Sequence, residues 1–299
     1  MLAKRLIMVC PTHFYANPET ASTNAFQVLG GDEFASDQAL SEFETMVETL
    51  KSHGIEVFVF ESGVTNAPDA IFPNNWFATF PNQTMITFPM LTANRRIERE
   101  PKLIAAIQAI GDYKRKAMEE LEKETPPQIL EGTGSLMLDH ERKIGFVGLS
   151  SRADLKAIKA FEDISGYKIH RFRTQDESGN PIYHTNVVMT LGEGFAVVGL
   201  DLVYEADRAA LEEALKNTDR TVVKLSKNQV MRQFAGNMLQ VESVDQKRSL
   251  ILSKTAFDGL SGFQLEELNR WNDQLIVCDI PTIERLGGGS VRCMLAELF

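Results

Sequence analysis

A thiol, an imidazole and a carboxylate are the side chains a covalent hydrolase needs, and Cys293, His184 and Glu131 each stand in a setting that could deploy one. Cys293 follows Gly287-Gly288-Gly289 closely, near the end of the sequence. Glycines let a backbone turn sharply and come near a bound molecule, and a sulfur must be reachable to act as a thiolate nucleophile. Val291, Cys293 and Leu295 alternate as a strand would. Glu131 precedes Gly132-Thr133-Gly134-Ser135, and His184 and Asn186 precede the apolar run Val187-Val188-Met189. Asp69, Asn74 and Asn75 sit in the similar stretch PDAIFPNNWF. Each of these polar residues, taken singly, also reads as an ordinary turn or loop residue. What they share is their place in a repeat.

Such residues, scattered over the chain, need a scaffold that returns each to one point. A pattern of turn, one or two short strands, amphipathic helix and strand recurs. The copies start near Phe72, Glu131, His184, Gly236 and Cys293, in steps of 59, 53, 52 and 57 residues. In the first copy the pattern predicts strands in IFPNNWFATF and TMITFP, a helix over 98–121 and a strand at QIL. Later copies predict helices over 152–164, 205–217 and 262–271, followed by YKIHRF, TVVKL and QLIVCDI. RLIMVC, a helix over 35–53 and IEVFVF complete a fifth copy when joined to the strand after Cys293. A unit this small cannot bury its own apolar face, so copies must stack. The expected fold is α+β, a five-bladed αβ propeller closed by its own termini as one domain over 1–299, with the module starts facing the central axis.

The bulk composition fits a globular protein: 299 residues, 43% hydrophobic and 24% charged. The absence of a long apolar run and of a secretory leader predicts a cytoplasmic protein without a membrane partner. Three widely spaced cysteines suggest neither a disulfide framework nor a metal site. A net charge of −10 argues against a nucleic-acid surface. The run at residues 13–24, rich in Asn, Thr, Ser and Pro, has the composition of a lid loop.

The ordered motifs PDAIFPNNW, NRRIERE, LEGTGSLMLD, GFVGLSSRAD, HTN, AGNML and GGGSVRCM resemble those of the guanidino-group-modifying enzymes, the pentein superfamily. The resemblance covers nearly the whole chain. It implies a five-fold αβ propeller, no cofactor and a small amino-acid substrate. Residue by residue it implies Cys293 as nucleophile, His184 as general acid and base, and Glu131 as the carboxylate holding the substrate's terminal nitrogen. Asp69 and Asn75 correspond to contacts with the substrate head, and Arg95 and Arg152 to arginines that clamp an α-carboxylate.

Two departures bear on the substrate. Asn75 stands where guanidine-using relatives have an aspartate, and Asn186 where arginine deiminases have one. Paired carboxylates answer a guanidinium with charge-assisted hydrogen bonds. An amide offers an uncharged donor and acceptor, which suits a ureido group with its single oxygen. The pattern is similar to the branch that hydrolyses citrulline to ornithine, ammonia and carbon dioxide through an S-carbamoyl-cysteine. An arginine deiminase or dimethylarginine hydrolase is the alternative. A non-catalytic binding protein of the same fold is a further one, against which the intact Cys293, His184 and Glu131 argue.

Overall fold

The computed structural model describes residues 1–30 and 34–299. Its strands form five separate three-stranded sheets. The first joins both ends of the chain: β1 (Arg5–Cys10) lies between β2 (Glu56–Glu61) and β15 (Ala296–Leu298). The second holds β3 (Phe77–Phe80), β4 (Thr84–Thr87) and β5 (Lys114–Ala117). The third holds β6 (Met137–Asp139), β7 (Ile144–Leu149) and β8 (Lys168–Arg173). The fourth holds β9 (Met189–Leu191), β10 (Phe195–Val198) and β11 (Thr221–Lys224), and the fifth β12 (Leu239–Glu242), β13 (Arg248–Ser253) and β14 (Gln274–Cys278). Every sheet is built alike. Its central strand pairs antiparallel with one neighbour and parallel with the other.

A parallel pair needs a crossover, and a helix supplies it in each module. These helices are Ala35–Ser52, Pro101–Gly111, Leu155–Ser165, Glu205–Lys216 and Gly262–Trp271. In the first, Ala39, Phe43, Met46, Val47 and Leu50 are buried at the spacing of one helical face. The last opens on a capping box, with Ser261 accepting from the Gln264 backbone and Gln264 reaching back to Ser261.

Successive strand residues point to opposite faces, and here both faces of each central strand are covered. Leu6 and Met8 of β1 pack with β12–β14 residues such as Val241, Ile251 and Ile276, whereas Ile7 and Val9 pack with Phe77 and Met85. Ile86 of β4 joins Val147 of β7, and Phe146 of β7 joins Ala196 and Val198 of β10. Val197 of β10 in turn joins Leu250 and Leu252 of β13. Five apolar clusters thus link the five sheets in a cycle that returns to the first. Double-sided burial is why the central strands read as continuous apolar runs.

Two expectations are corrected. The third strand of the second sheet is Lys114–Ala117, not QIL at 128–130, and the helix before it ends at Gly111. That strand is KRKA, exposed at all four residues, so no apolar pattern marked it. Residues 291–294 form a 3₁₀ turn and not a strand, with β15 starting only at Ala296. Side chains replace the ladder there: the Arg292 backbone N–H donates to Asn237 Oδ1 at 2.9 Å, and the Arg292 side chain donates to Leu295 O at 2.8 Å. No helix among the described residues is long and apolar enough to cross a membrane.

Candidate active site

Short helical turns at the module starts, at Pro73–Asn75, Gly132–Ser135, Thr185–Val188 and Val291–Met294, carry the polar residues inward. Glu131 and His184 are the residues immediately before the second and third of these turns. A small cavity lies between them, lined by Asp69, Asn75, Arg95, Arg152, His184 and Cys293 together with Asn24, Phe72 and Tyr183. The two remaining expected residues, Glu131 and Asn186, bond to the side chains of this lining. All eight residues expected from the sequence therefore meet.

The close approach depends on glycine. A Cβ on Gly134 would stand 2.4 Å from Asn75 Nδ2 and 2.9 Å from His184 Nδ1. Gly288 ends the helix Pro281–Gly287 at φ +62°, where a Cβ would meet Asn24 at 2.6 Å.

His184 Nε2 lies 2.8 Å from Glu131 Oε2. Glu131 is fully buried, and burial by itself would raise its carboxyl. The charge of Arg152, the His184 hydrogen bond and Arg95 outweigh that and hold it well below the usual carboxylate range. An ionised carboxylate only accepts, so Nε2 carries the proton and Nδ1 is the basic nitrogen. Burial lowers His184 to about 4, against the pull of Glu131, so the ring is neutral at pH 7. Glu131 also accepts from Arg152 Nη1 at 3.2 Å and from the Leu91 backbone at 3.1 Å.

The two arginines differ. Arg95 grips Glu98 through Nε at 2.8 Å and Nη2 at 3.0 Å, and donates from Nη1 to Asn75 Oδ1 at 2.7 Å. Nη2 also reaches the Asp69 and Phe72 carbonyls, so nearly all its donors have protein partners. Arg152 reaches Thr23 Oγ1 at 2.9 Å and stacks over Tyr183, leaving Nε buried without a partner.

Buried polar atoms without partners are rare, yet Asp69 Oδ1, Asn74 Nδ2, Arg152 Nε and Asn186 Oδ1 all lack one in this small region. Residues of the run at 13–24 bond to the site. Asn17 donates to Asp69 Oδ2 at 2.8 Å, and Asn24 donates to the Gly288 carbonyl at 3.3 Å.

Sequence reasoning assigned no role to Glu98, which secures Arg95, or to Tyr183, whose hydroxyl donates to Gly288 O at 2.6 Å. It also passed over Asn237, which touches the thiol. The signal for Asn237 was present: it follows Gly236 at the only module start left without a functional residue.

The fold is similar to solved structures at low sequence identity. The N-terminal domain of ArgZ with bound product, an arginine dihydrolase from Cyanobacteria, superposes with a TM-score of 0.76 at 17% identity, covering 99% of this chain and 97% of that one. Unliganded AgrE gives 0.76 at 18% identity; 99% of this chain is covered, but it spans only 39% of AgrE. A variant of DDAH from Pseudomonas aeruginosa, complexed with citrulline, gives 0.70 at 14% identity over the full length of both chains. No curated protein matches the sequence. The family model described as N,N dimethylarginine dimethylhydrolase, eukaryotic, matches residues 10–299. With that match across nearly its whole length, the chain belongs to the dimethylarginine dimethylhydrolase family of the pentein guanidino-modifying superfamily.

Proposed function

We propose that this chain is a single-domain, five-bladed αβ propeller that hydrolyses the ureido group of citrulline. The observation that carries the substrate is the orientation of Asn75. Arg95 can only donate, so the atom it contacts at 2.7 Å must be the amide oxygen. Asn75 then presents N–H to its other side, one hydrogen going to Asn74 Oδ1 at 2.9 Å. Asn75 lines a cavity that also offers the free acceptor Asp69 Oδ1, so its second N–H is the donor available to a bound oxygen. A ureido group has one oxygen needing a donor and three N–H needing acceptors. A guanidinium has only donors, and an inward N–H from Asn75 would oppose it.

In the proposed reaction neutral His184 takes the proton of Cys293, and the thiolate attacks the ureido carbon. Glu131 fixes the imidazole tautomer and favours the imidazolium as it forms. The imidazolium returns the proton to the departing ornithine nitrogen, leaving an S-carbamoyl-cysteine. His184 then activates water against that thiocarbamate, and the released carbamic acid falls apart to ammonia and carbon dioxide. Asp69 accepts ureido N–H. The free Nε marks Arg152 as the carboxylate contact, while Arg95 orients Asn75.

Incubation of the purified protein separately with citrulline, arginine and methylated arginines, following ornithine and ammonia, tests this reading. Ornithine should form from citrulline and not when Cys293→Ser is used, because a hydroxyl gives no accessible anion at neutral pH. Citrulline formed from arginine, with no ornithine from citrulline, would overturn it in favour of a deiminase.

A further inference from the structure

The fourth module contributes Asn237, which is fully buried and touches three parts of the site. Its Oδ1 accepts from the Arg292 backbone N–H at 2.9 Å, inside the turn that carries the thiol. That bond dictates the amide orientation, because a backbone N–H can only donate. Nδ2 therefore points the other way, with one hydrogen to the Asn186 carbonyl at 2.9 Å and the other to Cys293 Sγ at 3.4 Å. Asn186 adds a second donor to the same sulfur, Nδ2 at 3.3 Å. The sulfur thus receives two amide N–H donors, and Cys293 is 2% exposed.

A neutral thiol is a weak acceptor, and two donors aimed at one sulfur match a thiolate far better. We infer that Asn237 is a catalytic residue for the reaction proposed above, forming with Asn186 a two-amide cradle that stabilises the Cys293 thiolate. It also ties the thiol turn to the Asn186 backbone beside His184, so one side chain sets both the charge and the place of the nucleophile. The inference rests on Cys293 being the nucleophile.

The test is the pH dependence of iodoacetamide alkylation at Cys293, read by peptide mass, with citrulline kinetics alongside. Asn237→Asp keeps the acceptor for Arg292 and removes the donors. Its alkylation midpoint should rise by about one unit or more, and kcat should fall by about tenfold or more with KM little changed, since one pKa unit is a tenfold change in thiolate fraction. Asn237→Ala removes the donor without adding charge, and its midpoint should rise as well. A titrating Cys293 whose midpoint is the same in the parent and both variants overturns the role of Asn237 alone. A parent with no turnover and no reactive Cys293 removes the nucleophile on which it depends. Should neither variant fold, the parent labelled with ¹⁵N-asparagine serves. Two side-chain amides should shift with the thiol midpoint and stop doing so in Cys293→Ala, and fewer than two following it overturns the inference.

Discussion

Replacing Asn75 by aspartate alters one atom type at the point where ureido and guanidinium differ. The Arg95 contact at 2.7 Å survives, since either carboxylate oxygen accepts it. The new oxygen would face Asn74 Oδ1, 2.9 Å from the present Nδ2. Asn74 can answer by turning its amide, because its own Nδ2 has no partner to lose. The fold should therefore hold, with Arg95 keeping the new carboxylate ionised. Citrulline loses the donor to its oxygen and meets a negative charge instead, a penalty of about 1–3 kcal/mol. At 1.4 kcal/mol per tenfold that is roughly a 5- to 140-fold loss in kcat/KM. Arginine gains a charge-assisted acceptor, about twice as strong as a neutral one, so the citrulline-to-arginine ratio should move toward arginine by roughly tenfold or more. The assay is kcat/KM for both substrates across a pH series, with thermal melting as a check on folding. A folded variant whose substrate ratio equals that of the parent would refute the assignment of Asn75 as the ureido donor.

His184→Ala should acylate slowly and then stall at the S-carbamoyl enzyme, because no base remains to activate water. Intact-mass measurement after adding citrulline checks for the adduct, and full turnover would remove His184 from the mechanism. Stability should also report on His184. Its folded value, about 4, lies below its ordinary value of 6.5. The unfolded chain therefore binds more protons in that window, and the parent loses stability as pH falls from 6.5 toward 4. At 1.36 kcal/mol per unit the loss reaches about 2 kcal/mol at pH 5. Burial raises Asp69 and Glu98, which work in the opposite sense, so the informative quantity is a difference. His184→Gln keeps a donor for Glu131 and should be less acid-sensitive than the parent between pH 7 and 5, as denaturant titrations at each pH can read.

The periodic apolar runs and the five-fold recurrence of turn, strand, helix and strand were legible in the sequence because the physics behind them is local. Alternation marks a strand, 3.6-residue spacing marks a helix, and a unit too small to bury its own face must stack. Cys293, His184, Asn186, Glu131, Asp69 and Asn75 were legible because they stand at or near module starts of the repeat, whereas Arg95 and Arg152 were implied only by the family resemblance. Lys114–Ala117 was not, because an exposed edge strand is held by backbone pairing with β4 and carries no pattern of its own. The 3₁₀ turn at Cys293 was not, because the Arg292 backbone bonds to Asn237, 55 residues away, in place of a sheet partner. The same holds for the division of labour between Arg95 and Arg152. Arg95 lies in the short helix Ala93–Arg96 and Arg152 in a turn, and only Glu98 and Asn75 on one side, with Thr23 and Tyr183 on the other, decide which has a donor free. Residue type and spacing determined the elements and their recurrence. The direction of each hydrogen bond at the site depended on partners from other modules, which only the folded chain brings within reach.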